Sequence, residues 1–218
     1  MKSVLTGRPR NRGRLCFLIL LWVSAVCAGL AVALRYEKRP GLQATPPQHW
    51  PADSRIEPGA GRATLLLLAH PRCPCTRASL SELALLMTRC QGLVTAHVLL
   101  MTPPGMPEGW ARTSLWGRAA AIPGVEVGCD PGGVEARRFG STTSGQTLLY
   151  DAEGRLLFSG GITASRGQEG DNAGLESIVA LLHGNAAPRA TTSVFGCSLV
   201  DPPSTVTQGQ ASTCCHTK

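Results

Sequence analysis

Beyond its first 40 residues the sequence carries no excess charge of either sign. Residues 1–40 hold eight of the 21 Lys/Arg residues and one of the 14 Asp/Glu residues, which leaves thirteen of each for residues 41–218. Without a basic excess there is little to neutralise a phosphate backbone, so nucleic-acid binding loses its main support. Catalytic signatures are scarce as well. The sequence has no HExxH, no GxSxG and no paired-carboxylate arrangement. The G-x-x-x-x-G runs within residues 160–174 lack the Gly-Lys-Ser/Thr that would complete a phosphate-binding P-loop. Internal repeats are absent, and aromatics make up only 5% of the chain. With 43% hydrophobic and 16% charged residues the chain is nonetheless globular, with a membrane or signal segment, rather than disordered.

The charge that is present lies at the N-terminus. MKSVLTGRPRNRGR carries Lys2, Arg8, Arg10, Arg12 and Arg14, and an uncharged run follows from Leu15 to Leu34. Its 20 residues match the length needed to cross a hydrocarbon core. More positive charge precedes this run than follows it (Arg35, Lys38 and Arg39, offset by Glu37), which keeps the N-terminus in the cytoplasm. A retained signal-anchor is the first reading, and a signal peptide cleaved at Ala31-Val32-Ala33 is its rival. Either way the rest of the chain is exported, where disulfides are permitted.

The expected organisation is a basic cytoplasmic segment (1–14), a transmembrane segment (15–34), a Pro/Gly-rich tether (35–61), a folded domain (62–185) and a tail (186–218). ATLLLLAH is a short apolar run without helical period, hence a buried strand. Pro74 occupies a favoured first-turn position, and Leu80, Leu83, Ala84 and Met87 follow at helical spacing. GLVTAHVLLMT gives a second strand, residues 110–122 a helix, VEVGCD a third strand and residues 132–139 a short helix. TLLYDAEGRLLFSGG predicts a hairpin turning at Ala152-Glu153-Gly154, and Asp171 or Asn172 caps a final helix. The order β–α–β–α–β–α–β–β–α predicts an α/β fold, a mixed sheet flanked by helices and preceded by one transmembrane helix.

Cysteine carries the chemistry. Cys73 and Cys75 flank one proline between the first strand and first helix, where such sheets place their reactive groups. The free N–H groups and positive end of a helix favour a thiolate there, which makes Cys73 the expected exposed nucleophile. Arg72 and Arg77 supply positive charge if they lean inward, and His70 is a candidate proton relay. Residues i and i+2 do not face each other on a helix, so a Cys73–Cys75 disulfide requires a distorted turn. Strain of that kind makes a disulfide more oxidising, which suits a donor or isomerase. Two alternatives stay open: one thiol pairs with a distant cysteine, or the thiolates bind copper(I) or zinc through Cys73, Cys75, Cys197 and His70. Cys197, in the apolar stretch SVFGCSL, is the distant candidate, because apolar residues in a polar tail suggest docking. Cys90 and Cys129 read as core residues or a structural pair, and Cys214, Cys215 and His216 as incidental at a polar terminus. The five glycines of residues 160–174 read either as a floppy loop or as a shaped one that presents Arg166 to the site.

The strand, the cysteine pair and the helix together resemble the active-site unit of the thioredoxin superfamily, in its membrane-tethered TlpA/ResA-like branch. VEVGCDPGGVEARRFGSTTSGQTLLYDAEGRLLFSGG is similar to that branch's strand, aspartate, short helix and hairpin. HPRCPCTRASLSEL, TSGQTLLYDAEGRLLFSGGIT and VFGCSL look more narrowly like bacterial proteins labelled RedB. The resemblance spans roughly residues 62–184 and departs from the superfamily twice: CxxC is CxC here, and Gly145 aligns with the superfamily's cis-proline. It implies a thioredoxin-like, periplasm-facing thiol–disulfide oxidoreductase acting on exported protein thiols or disulfides, without a cofactor. Cys73 would be its nucleophile, Cys75 its resolving thiol and Cys197 a further one. A copper or zinc relay, and a tethered module with purely structural cysteines, are the alternatives.

Overall fold

The structure, a computed structural model, describes residues 10–199. Cys214, Cys215 and His216 lie outside the described residues. Helix α1 (Arg10–Glu37) contains the apolar run read from the sequence. Its Phe17, Leu20 and Trp22 are exposed, and Arg12–Glu37, which contains an 18-residue window of mean hydropathy 2.6, is long and apolar enough to cross a membrane.

The domain follows as β1 (Ala63–Ala69), α2 (Pro74–Arg89), β2 (Val94–Thr102), α3 (Ser114–Ala120), β3 (Val125–Pro131), α4 (Val134–Arg138), β4 (Gln146–Tyr150), β5 (Leu156–Gly160) and α5 (Ala173–Leu182). The sheet order is β3-β2-β1-β4-β5. β1, β2 and β3 run parallel, β4 is antiparallel to β1, and β5 pairs with β4 as the hairpin. β1 shows why its sequence does not alternate. Leu65 and Leu67 pack with α2, α3 and α5 on one face of the sheet, and Leu66 and Leu68 with α4 on the other. A central strand covered on both faces is apolar at every position. Each of these fully buried leucines contributes about 2 kcal/mol of transfer free energy.

The second face has only the five-residue α4 as helical cover. The Pro/Gly-rich segment ahead of the domain supplies the rest. Trp50 sits edge-on to Phe139 (4.9 Å) and Tyr150 (5.2 Å), and Ile56 packs with the same cluster. Tyr150 Oη donates to Pro47 O (3.0 Å), and Leu156 N–H donates to Gln48 O (2.9 Å). Residues 41–56 therefore form an extended strap over the domain.

Residues 110–122, expected as one helix, are divided. A 3-10 turn (Glu108–Ala111) is separated from α3 by Thr113, whose extended backbone and side chain cap α3 by accepting from Leu115 N–H (3.2 Å). The same hydroxyl donates to Pro71 O (2.9 Å), so α3 begins where the loop leading to the cysteines needs an anchor. At α5 the cap is Asn172, whose side chain accepts from Leu175 N–H (2.8 Å).

Candidate active site

β1 ends at Ala69, and the chain turns through His70, Pro71 and Arg72 into α2. Cys73 is the N-cap in extended conformation (φ −82°, ψ 123°), with Pro74 beginning the helix. The Cys73 side chain makes no capping bond, so its sulfur is not tied down at the helix start, whose N–H groups, that of Cys75 among them, favour its ionised form.

Ser144, just ahead of β4, faces this turn. Its hydroxyl accepts from His70 N–H (2.9 Å), lies 3.1 Å from Thr76 Oγ1 and is near enough to Cys73 to favour its ionised form. Thr76 Oγ1 in turn donates to His70 O (3.0 Å). The next residue, Gly145, has φ +94°, and its N–H donates to Leu68 O (2.8 Å). Proline, with φ fixed near −65° and no N–H, is incompatible with both features. The departure from the cis-proline pattern is thus a different backbone path.

The third side of the site comes from the end of the described chain. Ser144 N–H donates to Cys197 O and Leu199 N–H donates to Thr142 O (2.8 Å each), with an antiparallel bridge between Thr143 and Ser198. Gly196 makes this approach possible, since a Cβ there would fall 1.9 Å from Ser144 O. Arg166 Nη1 donates to Gly196 O (2.7 Å), while its own N–H donates to Glu37 O (3.1 Å) and its guanidinium stacks over Tyr36 (5.1 Å). Its Nε is buried and unpaired. The glycine-rich loop that bears Arg166 is shaped: Glu82 of α2 accepts from Gly170 N–H (2.6 Å) and Asn172 Nδ2 (3.2 Å).

Cys73 has both Cys75 and Cys197 as neighbours. Burial works against ionising Cys73, but donation from the Cys197 thiol and N–H, the Cys75 N–H and the Ser144 hydroxyl outweighs it, so its pKa falls below that of a free thiol. Burial and the charge of Cys73 raise Cys75, against a partial offset from Arg166 and the Gly167 N–H. Burial and donation to Cys73 push Cys197 up to about 12. Of the three, Cys73 is therefore the thiol that ionises most readily, and Cys75 and Cys197 hold their protons more tightly. Cys73, expected to be exposed, is 1% accessible and Cys75 7%, because the 194–199 segment packs over them; Cys197 is exposed.

The remaining candidates are placed differently. The His70 ring stands edge-on to Trp110 (5.7 Å) with Nδ1 accepting from Arg72 N–H (3.2 Å), and burial and Arg72 lower its pKa. Arg72 lies over the other side of the site loop, stacked on Trp110 (4.5 Å), and Arg77 is exposed on α2. Cys90 is buried in the core and Cys129 exposed on β3; both are free thiols, not a structural pair. Among the described residues, no three His, Cys, Asp or Glu side chains are grouped as ligands of a metal ion. Sequence reasoning missed Ser144, Thr76 and Glu82. Only the position of Ser144 directly ahead of Gly145 offered a signal for any of them.

No family model matches the chain, and no curated protein matches it in sequence. Solved structures do. An uncharacterized conserved protein from Geobacillus kaustophilus aligns at 20% identity over 77% of this chain and 94% of that one, with a TM-score of 0.54. A hypothetical protein from Sinorhizobium meliloti 1021 aligns at 17% identity over 75% and 96%, with a TM-score of 0.53. Likeness at these identities is a likeness of fold. Together with three parallel strands, an antiparallel hairpin and a cysteine at the start of the helix after β1, it makes the domain a thioredoxin-like mixed sheet flanked by helices.

Proposed function

We propose that the chain is a membrane-anchored thiol–disulfide oxidoreductase of the TlpA/ResA-like kind, similar to the RedB-labelled proteins. Helix α1 holds it in a bacterial inner membrane, with the N-terminus cytoplasmic and the domain in the periplasm. It exchanges disulfides with the thiols of exported proteins. One observation carries this reading: Cys73 stands at the start of α2 as the most readily ionised of three neighbouring thiols, with Cys75 and Cys197 beside it. Exchange needs a thiolate to attack or depart and a neighbouring thiol to close the intramolecular disulfide. Both are present, and neither step calls for a cofactor.

The test is a disulfide map of the full chain in detergent or lipid, by alkylation and mass spectrometry before and after reduction. The expected result is a reversible disulfide containing Cys73, together with catalysed rearrangement of a scrambled disulfide substrate. Stoichiometric copper or zinc that shields Cys73 and Cys75 from alkylation would sink the reading. So would a Cys73 that remains a thiol under every redox condition.

A further inference from the structure

We propose that this site passes its disulfide outward through Cys197: a thiolate of a reduced substrate polypeptide attacks the Cys197 sulfur of a Cys73–Cys197 disulfide, and Cys73 departs. The proposal rests on the oxidoreductase reading and adds which thiols pair, which sulfur is attacked and which way electrons flow.

Accessibility decides the point of attack. Cys73 and Cys75 are 1% and 7% accessible, and Cys197, on the segment that covers them, is exposed. Disulfide exchange is an in-line displacement, so the attacker approaches opposite the leaving sulfur. Of the two sulfurs of a Cys73–Cys197 disulfide, the one on the exposed residue is the one an incoming polypeptide can reach. The covering segment is also fixed in register, by Ser144 N–H on Cys197 O (2.8 Å) and by Arg166 on Gly196 O (2.7 Å). Cys197 is thereby held in contact with Cys73 while presenting its outer side.

The direction follows from what departs. When the substrate thiolate bonds to the Cys197 sulfur, the Cys73–Cys197 bond breaks and its electron pair stays on Cys73. There it is received by the Cys75 and Cys197 N–H groups and the Ser144 hydroxyl. Donors placed around the departing sulfur ease its departure, and stabilising the reduced form makes a disulfide a stronger oxidant. The substrate's second thiolate then attacks the substrate sulfur of the mixed disulfide. Cys197 leaves and takes up a proton, in keeping with its raised pKa. The substrate has lost two electrons and two protons to become a disulfide. The chain has gained two electrons, carrying one proton on Cys197 while the other goes to solvent. The substrate class is a cysteine pair in another polypeptide, and Cys75 stays a thiol throughout.

The full chain in lipid nanodiscs, oxidised with glutathione disulfide and freed of excess reagent, is mixed with a peptide that carries a single cysteine. Acid quenching and peptide mapping locate the trapped bond. The expected adduct is on Cys197, with Cys73 recovered as a thiol. With a two-cysteine peptide, Cys197→Ser slows oxidation by at least about 100-fold, since attack on a buried sulfur must replace attack on an exposed one. An adduct on Cys73 or Cys75, or undiminished oxidation by Cys197→Ser, overturns the proposal and leaves the oxidoreductase standing. A chain that forms neither an internal disulfide nor any adduct overturns both.

Discussion

Cys73 stands at the start of a helix, but the helix is only part of what stabilises its charge. The Cys75 N–H belongs to the helix, whereas the Cys197 thiol and N–H and the Ser144 hydroxyl reach it from elsewhere in the chain. A thiol whose pKa is lowered by folding stabilises the fold above its unfolded pKa, and that stabilisation is lost as pH falls through the folded value. Cys75 and Cys197 are raised by folding, so they withdraw stability once pH climbs past the unfolded thiol value of about 8.5. The reduced chain is therefore expected to be most stable near that pH, by thermal melts across a pH series, with a flatter profile for Cys73→Ser. Thiolate ultraviolet absorbance should show an ionisation that precedes those of the other thiols and is absent from Cys73→Ser. Ser144→Ala moves this ionisation upward and costs about 1–3 kcal/mol by orphaning the His70 N–H. If Ser144→Ala leaves the ionisation where it was, the hydroxyl has no part in it. The place of Cys73 at a helix start was legible from a cysteine beside an N1 proline, since helix signals are local. Ser144 was not, because its role depends on pairing across the sheet.

At the scale of elements, the site is closed by a short antiparallel pairing between residues 142–144 and 197–199, outside the five-stranded sheet. Gly196 is its weak point. Gly196→Ala places a Cβ against Ser144 O, so the segment must lift away. The expected cost is about 1–3 kcal/mol, because Val194 and Leu199 lose their buried places. Alkylation of Cys73 and Cys75 should accelerate while the circular dichroism of the sheet and helices stays native. Unchanged alkylation would mean that the segment does not cover them. The apolar Val-Phe-Gly stretch announced that this tail docks, yet its strand-like register was invisible: three residue pairs leave no periodicity to read. The opposite limit is β1, where a run of leucines between turns admits little but a buried strand. Residues 110–122 fall between, apolar enough for one helix and divided by the side chain of Thr113.

Across the whole molecule, the segment that composition marks as a tether is a covering layer. Proline and glycine do prevent regular structure over residues 40–61, but an extended chain still presents side chains, and Trp50 alone meets two aromatic rings. A domain whose second face has only α4 needs that cover. Trp50→Ala is expected to cost about 2 kcal/mol, less than the usual range for a fully buried tryptophan because Trp50 is half-buried. Removing residues 1–61 should cost more than removing 1–37, as read from denaturant midpoints; equal midpoints would show the strap to be dispensable. The last residues of α1 also join the site, through Arg166, Tyr36 and Glu37. Anchor, strap and covering segment thus converge on one end of the domain.

Three sulfurs meeting at one place impose a rule of parity. Bonds between sulfurs remove thiols two at a time, so no oxidation confined to the site consumes all three. Its most oxidised closed form still has one thiol left over. An even count of free thiols among Cys73, Cys75 and Cys197 therefore means that one of them is bonded to something outside the trio. Residue-resolved alkylation of these three cysteines thus distinguishes a resting site from one caught in the act of exchange.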